Sequence, residues 1–166
     1  MQLIIRAAEP DDAKQLVNLI EQVESSGFML FEPGERKISD EQMKRRIDSI
    51  KEEKSSTILI AEDNGVIVGY LFAIGVNPTR TKHSVYIAIG VAESERGKGR
   101  GGKLFEALEK WANQQSIHRL ELTVMTYNTA GIALYKKMGF EIEGTKRDSL
   151  LIDGRYVDEY YMSKLL

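Results

Sequence analysis

The chain of 166 residues contains no cysteine, two histidines and three prolines. The lack of cysteine excludes disulfide bonds, thiolate metal sites and cysteine nucleophiles. The two histidines, His83 and His118, are too few for a typical zinc site, so we expect no metal. No apolar run approaches the roughly 18 residues of a membrane span, which argues against a membrane protein.

An excess of charge of one sign is also lacking. The 23 basic and 25 acidic residues leave a formal net charge of -2, which gives no reason to expect a nucleic-acid partner. The first six residues, 1–6, are too few and become charged too soon for a signal peptide. We therefore expect a cytoplasmic protein, and its length suits a single domain over residues 1–166.

Strand and helix patterns alternate along this chain. Short apolar runs beginning near residues 3, 57, 66, 84, 120, 140 and 156 predict strands. Helical spacing predicts helices from Pro10, from a capping box at Ser39, after a glycine-rich loop, and over residues 129–138. Residues 28–37 have no regular period and predict a loop. The strand–helix–strand order of the second half implies some parallel pairing in an α/β fold.

The most informative segment is the glycine-rich, basic loop from Arg96 to Gly102, which reads Arg-Gly-Lys-Gly-Arg-Gly-Gly. Its glycines let backbone N–H groups approach a phosphate closely, and the helix that follows adds the partial positive charge of its N-terminus. Arg96, Lys98 and Arg100 add full positive charges. The loop therefore predicts a phosphorylated ligand.

Several phosphate-binding patterns fit this loop. Its glycines at 97, 99 and 102 match a dinucleotide fingerprint, but six residues separate Gly90 of the strand from the first loop glycine. In addition, Glu121 is the only acid on the next strand and lies near that strand's start, where it does not suit a ribose. Residues 97–103 also resemble the phosphate-binding loop of nucleotide hydrolases, but Leu104 replaces the Ser or Thr that binds Mg²⁺. A plain glycine-rich connection is a further interpretation.

A third pattern, Arg96-x-x-Gly99-x-Gly101, resembles the signature Gln/Arg-x-x-Gly-x-Gly/Ala of the GNAT superfamily of acyl-CoA-dependent N-acetyltransferases. A strand ending in Asn128 and a helix with Leu134-Tyr135 and a terminal Gly139-Phe140 follow in that family's order. The resemblance covers nearly the whole chain and is strong over residues 85–140. It is closest to the branch that acetylates spermidine or ribosomal-protein N-termini.

The resemblance implies a fold and a donor site. It implies a single-domain mixed sheet, mostly antiparallel, with a central splayed pair of parallel strands and flanking helices. Gly90 suits a bulge where the splay begins. Backbone groups of Ile89 and Val91 would bind the pantetheine arm of acetyl-CoA. The pyrophosphate would be wrapped by the loop: Arg96, Gly97, Lys98, Gly99, Arg100, Gly101 and Gly102.

Two downstream side chains complete the site that the resemblance implies. Asn128 would donate a hydrogen bond to the pantetheine chain, cap its helix, or both. Tyr135 would act as the catalytic acid that protonates the departing CoA thiolate, although its helical spacing also suits packing alone.

The implied reaction is the direct attack of a primary amine on the thioester carbonyl in a ternary complex, which needs no covalent nucleophile. Many family members carry a Glu on the strand before the loop, but Ser84–Gly90 has no carboxylate. Glu32, Glu35, His83 or an ordered water are the candidate general bases. The missing carboxylate also leaves open a non-catalytic CoA-binding or regulatory module on the same scaffold.

The acceptor is less clearly indicated. In the family, acceptor specificity comes from the loop between the first helices, here residues 28–37, and from the C-terminal hairpin, here residues 149–156. Phe28, Phe31 and the two glutamates of the loop suit an apolar stem with a cationic amine, but core aromatics beside surface acids would give the same pattern. A small amine or polyamine and a peptide or protein N-terminus both stay open. The family is also compatible with a homodimer.

Overall fold

The computed structural model describes residues 2–166, which form a seven-stranded sheet with the strand order β1-β2-β3-β4-β5-β7-β6. The strands are β1 Leu3–Ala7, β2 Thr57–Asp63, β3 Val66–Gly75, β4 Ser84–Val91, β5 Arg119–Met125, β6 Glu141–Ile152 and β7 Arg155–Leu165. The helices are α1 Ala13–Glu24, α2 Asp40–Glu52, α3 Arg100–Gln114 and α4 Thr129–Lys137. Every strand pair is antiparallel except β4 with β5, which confirms the predicted mixed α/β fold.

Local sequence signals explain where several elements begin. The Ser39 hydroxyl accepts a hydrogen bond from the Gln42 N–H, and the Gln42 side chain accepts one from the Ser39 N–H, so α2 begins with the predicted capping box. The chain at Pro10 first forms a short 3₁₀ turn, and α1 proper begins at Ala13. The Asn64-Gly65 pair forms the turn between β2 and β3, with a positive φ at both residues.

The parallel strands β4 and β5 are joined over a short stretch only. Three residues of each strand are paired, and the last pair joins Tyr86 to Glu121. Beyond this pair β4 remains bonded to β3 as far as Val91, while β5 remains bonded to β7 as far as Met125. The two strands therefore separate toward their carboxyl ends and leave an opening in the sheet, which confirms the predicted splay.

The prediction of a bulge at Gly90 is wrong. The pairing of β3 with β4 is unbroken across this residue, and the splay begins earlier, after Tyr86. Gly90 is required by packing instead, because a Cβ atom there would lie 2.6 Å from the ring and the hydroxyl of Tyr70. The absence of a side chain at Gly90 allows the Tyr70 phenol to lie directly on β4.

The sheet separates two hydrophobic cores. One face is covered by α3, whose Leu104, Phe105 and Leu108 are fully buried. The other face is covered by α1 and α2, which pack on β2, β3 and β4. Farther along this second face the sheet carries the exposed side chains of Tyr86 and Tyr161. Within residues 2–166 no helix is long and apolar enough to cross a membrane.

Candidate active site

The glycine-rich loop leads from the open end of the splay into α3. Gly97 and Gly99 have φ angles of 77° and 80°, a left-handed conformation that favours glycine, and Gly99 is the N-cap of α3. From Gly97 to Gly102 the backbone N–H groups donate to no acceptor among the described residues. A row of free N–H groups at a helix N-terminus is a typical anion site.

The three basic side chains of the loop differ in their surroundings. Arg96 is exposed, and Lys98 is exposed with its Nζ 3.1 Å from a Glu95 carboxylate oxygen. The Arg100 side chain is only 7% exposed, and its guanidinium lies 3.2 Å from both Asp63 and Glu95. The prediction that the Arg100 side chain adds free charge for a phosphate is therefore wrong. Its backbone N–H group stays in the predicted row of donors.

The close approach of α4 to the beginning of α3 depends on Gly101. A Cβ atom at Gly101 would lie 2.9 Å from Cδ2 of Leu134, whereas one at Gly102 would meet only Sδ of Met138 at 3.7 Å. Gly101 thus serves helix packing. This packing brings α4, with Tyr135, beside the loop.

Asn128 is the N-cap of α4. Its Oδ1 accepts a hydrogen bond of 3.0 Å from the Gly131 N–H, and no described residue accepts one from its Nδ2. The capping role is confirmed. The free Nδ2 can donate a hydrogen bond to a ligand while Oδ1 caps α4, so the two roles are compatible. The predicted hydrogen bond from Asn128 to a pantetheine chain remains a prediction.

Tyr135 lies in an aromatic cluster on the α3 side of the sheet. Its ring centroid is 5.9 Å from that of Phe105 and 6.2 Å from that of Phe140. No described residue accepts a hydrogen bond from the Tyr135 hydroxyl. Burial, with a smaller effect of Tyr86, raises the pKa of Tyr135 to about 12. The phenol is therefore protonated at neutral pH and can donate a proton.

Ile89 and Val91 present backbone groups to the opening between the strands. The Ala92 N–H donates to the Val68 carbonyl, and this hydrogen bond fixes which β4 residues face β3. Because bonded and non-bonded pairs alternate along an antiparallel ladder, the N–H and C=O groups of Ile89 and Val91 point away from β3. They point toward the splay, where an extended ligand could pair with them.

On the opposite face of the sheet, the loop between α1 and α2 contacts the segment that follows β5. The Phe28 ring, in the loop between α1 and α2, is 5.8 Å from the Tyr127 ring, which comes directly after β5. At the closed end of the splay the Tyr86 hydroxyl lies 2.7 Å from Oγ1 of Thr123. The predicted specificity loop therefore reaches over the carboxyl end of β5. The sequence pattern did not indicate Tyr127.

The predicted general bases are not gathered around Tyr135. Glu32 and Glu35 are exposed, and a Glu35 carboxylate oxygen accepts a hydrogen bond from the Glu32 N–H. His83 precedes β4 at the opposite end from the glycine-rich loop, with its ring 6.3 Å from that of His118. Five residues of extended chain lie between His83 and Ile89, which places the two about 20 Å apart. The structure therefore favours none of the three.

A carboxylate that sequence reasoning missed lies at the end of α1. The Glu24 side chain is 4% exposed, and an oxygen of its carboxylate lies 2.5 Å from the Arg36 guanidinium. That guanidinium stacks 4.3 Å from the centroid of the Phe31 ring. Glu24 continues the buried stripe formed by Val17 and Ile20. A charge at this helical spacing on an apolar stripe was the signal available in the sequence.

A sequence profile of the acetyltransferase (GNAT) family matches residues 18–140. The chain belongs to this family. The predicted family and the predicted enzyme class, an acetyltransferase, are thereby confirmed.

Two curated relatives of this GNAT protein act on amino acids or their analogues. An L-amino acid N-acetyltransferase of Escherichia coli is 39% identical over 110 residues, which cover 64% of this chain and 67% of the relative. An L-methionine sulfoximine/L-methionine sulfone acetyltransferase of Pseudomonas aeruginosa is 33% identical over 111 residues, or 63% of this chain and 62% of that enzyme. The chain thus matches about two thirds of the length of these relatives.

Solved structures agree with the GNAT assignment. A GNAT-family acetyltransferase from Streptococcus pneumoniae superposes with a TM-score of 0.95 at 32% identity, covering 99% of this chain and 100% of that one. A phosphinothricin acetyltransferase from Sinorhizobium meliloti, solved with acetyl-CoA, gives a TM-score of 0.87 at 23% identity, covering 100% and 89%. The second likeness concerns the fold alone.

Proposed function

We propose that the chain is a single N-acetyltransferase domain that uses acetyl-CoA to acetylate the primary amine of an amino acid or a similar small amine. The observation that carries the proposal is the row of free N–H groups from Gly97 to Gly102 beside the splayed strands. That row suits a pyrophosphate, because oriented amides at a helix N-terminus stabilise negative charge.

The residues around the splay support direct acetyl transfer. The free backbone edge at Ile89 and Val91 would pair with the pantetheine arm, and Asn128 Nδ2 would donate a further hydrogen bond to it. A backbone N–H near Val91 would stabilise the oxyanion that forms when the amine attacks the thioester carbonyl. Tyr135, whose raised pKa of about 12 keeps the phenol protonated at neutral pH, would then protonate the thiolate as the carbon–sulfur bond breaks.

The acceptor proposal rests on the curated relatives and on an ion pair at the predicted specificity loop. The two relatives described above are named for amino acids or amino-acid analogues. The ion pair of Glu24 with Arg36 places both a negative and a positive group beside the predicted specificity loop, which suits an acceptor that carries an amine and a carboxylate. Peptide N-termini are the acceptor class to compare with free amino acids. The reason is that a ribosomal-protein-alanine N-acetyltransferase of Escherichia coli is 35% identical to this chain over 80 residues.

The test is an acceptor panel with acetyl-CoA, in which free thiol is followed over time and products are identified by mass. L-amino acids, their amides, spermidine and a peptide with a free N-terminus form its arms. We expect turnover with one or more L-amino acids and weaker turnover with their amides. Calorimetry with CoA is run in parallel. CoA binding without transfer to any arm would support the non-catalytic module, and neither binding nor transfer would disprove the donor site.

A further inference from the structure

The proposed reaction needs a group that takes a proton from the acceptor's ammonium, and the strand before the glycine-rich loop offers no carboxylate. We infer that Glu24, the last residue of α1, is this general base and that Arg36 positions it. The inference rests on the proposed function and assigns the step for which Glu32, Glu35, His83 and water were the candidates.

The carboxylate of Glu24 is buried but only half engaged. Its Oε2 accepts the hydrogen bond from Arg36, while its Oε1 accepts none from any described residue and is not sealed from solvent. The comparably buried Asp12 differs, because Arg6 donates to both of its oxygens and the Glu9 N–H donates to one of them. Glu24 thus keeps an oxygen free for an incoming donor.

The position of Glu24 relative to β4 is given by Tyr70. The Tyr70 phenol lies against Gly90, in the part of β4 that borders the splay. Val23, the residue before Glu24, is buried in one hydrophobic cluster with Tyr70 and with Ala92, which follows β4. Tyr135 packs against the other hydrophobic cluster, on the α3 side of the sheet. Glu24 at the end of α1 therefore lies on the face of the sheet that carries Tyr70 and the carboxyl end of β4, and Tyr135 lies on the opposite face.

Arg36 limits how the Glu24 carboxylate can move. Its guanidinium stacks on Phe31 and holds one carboxylate oxygen, while its Nε is buried and has no acceptor among the described residues. The other charged group beside this pair is Glu21, one turn earlier on α1. Arg36 does not need to touch the acceptor's nitrogen to act, so it is a positioning residue in this step.

The proton balance of the step is complete. The ammonium of the acceptor donates to Oε1 of Glu24, which takes the first proton, and the free amine forms a bond to the thioester carbon. The carbon–sulfur bond then breaks, and Tyr135 gives its proton to the thiolate. The second proton of the nitrogen replaces the one that Tyr135 has lost, and Glu24 returns its proton to solvent. No oxidant, reductant or metal is required.

The test compares Glu24→Gln with Glu21→Gln on two kinds of nucleophile. The first is the best amino acid from the panel, whose amine is protonated at neutral pH. The second is hydroxylamine, whose nitrogen is already unprotonated at neutral pH and needs no base. We expect Glu24→Gln to lower kcat for the amino acid by about 100-fold or more, with hydroxylamine turnover and acetyl-CoA KM nearly unchanged. Glu21→Gln should leave both reactions unchanged.

The pH dependence separates a base from a structural group. As the pH rises toward the pKa of the acceptor's own amine, free amine accumulates and the deficit of Glu24→Gln should shrink. A constant deficit at every pH, or an equal loss with hydroxylamine, would overturn the assignment. So would turnover by Glu24→Gln within about threefold of the unaltered protein, since removing a general base costs far more.

A second variant covers the case in which Glu24→Gln does not fold, as judged by thermal melting and CoA binding. Glu24→Asp keeps the charge but shortens the side chain, so it should retain the pH profile with a reduced kcat. A profile identical in shape and rate would overturn the assignment. If the unaltered protein transfers to no amine while still binding CoA, the proposed function fails and the assignment of Glu24 fails with it.

Discussion

At the scale of single residues, the hydroxyl of Tyr135 is the candidate catalytic group that contributes least to the fold. Its ring packs with Phe105 and Phe140, whereas the hydroxyl has no described partner. Packing and chemistry can therefore be separated by removal of one oxygen atom. Asn128 differs, because the same side chain caps α4 through Oδ1 and offers Nδ2 as a hydrogen-bond donor.

Tyr135→Phe should lower kcat by about 100-fold, because it removes the proposed proton donor. The acetyl-CoA KM should change little. The free energy of unfolding should stay within about 0.5 kcal/mol, since the aromatic contacts remain. Steady-state kinetics and urea denaturation measure the two effects.

Thr79→Val, which also replaces a single hydroxyl group at an exposed position in the loop before β4, is the control and should change nothing. The pKa of about 12 keeps the Tyr135 phenol protonated at every pH well below that value. The unaltered enzyme should therefore keep its activity as the pH rises within that range. Turnover of Tyr135→Phe equal to that of the control would remove Tyr135 from the acid role.

At the scale of secondary-structure elements, Arg100 connects three parts of the chain. It is the first residue of α3, and its guanidinium joins Asp63 at the end of β2 to Glu95 before the glycine-rich loop. Its Nε and Oδ1 of Asp63 are buried without partners, so the remaining hydrogen bonds carry the whole connection. We interpret this ion-pair cluster as the support that holds the loop in the shape that exposes its N–H groups.

Asp63→Asn should weaken that support and raise the acetyl-CoA KM about tenfold, which corresponds to roughly 1.4 kcal/mol. The kcat at saturating acetyl-CoA should change little, because the reacting groups are untouched. The melting temperature should also fall, since one partner of a buried ion pair loses its charge. Glu106→Gln, which breaks an exposed pair with Lys103 on α3, is the control and should leave KM unchanged. An unchanged KM in Asp63→Asn would contradict the supporting role.

The packing of elements also explains which sequence signals were reliable. The capping box at Ser39, the Asn64-Gly65 turn and the glycine-rich loop depend on residues a few positions apart, and each lies where it was predicted. The direction of the Arg100 side chain depends on Asp63, 37 positions earlier, so no local pattern could indicate it. The same holds for Gly90, whose role is set by Tyr70 on the neighbouring strand.

At the scale of the whole molecule, the first strand is tied to the first helix by an ion pair that should matter for acid stability. Both Asp12 oxygens accept hydrogen bonds from Arg6, at 2.8 and 2.9 Å. These hydrogen bonds lower the pKa of Asp12 below its ordinary value of 3.8. Because the folded-state pKa is the lower one, the contribution to stability is full above about pH 4 and is lost as the pH falls through the folded value.

Asp12→Asn should therefore lower the free energy of unfolding at neutral pH by about 2 kcal/mol, because a charged hydrogen-bond acceptor is lost. The difference from the unaltered protein should shrink as the pH falls below 3.8 and through the lowered pKa of Asp12, where protonation weakens the ion pair in the unaltered protein as well. Urea denaturation at neutral pH and at a series of acidic pH values measures this. Asp11→Asn, at the exposed neighbouring position, should have no effect at any of these pH values. An equal loss for both variants would show that the ion pair does not stabilise the fold.

The amino-acid sequence by itself determined the α/β class, the glycine-rich loop with its helix, and the positions of Asn128 and Tyr135. These features arise from residues close together in the chain, whose spacing and backbone preferences act locally. Tertiary structure alone decided that β4 and β5 part after Tyr86, that Arg100 turns inward, and that Glu24 lies buried against Arg36. Those outcomes depend on distant segments packing together. A loop that leaves a row of backbone amides free is therefore readable from local sequence, whereas the contact between the loop after α1 and the segment after β5 forms only when distant parts of the chain meet.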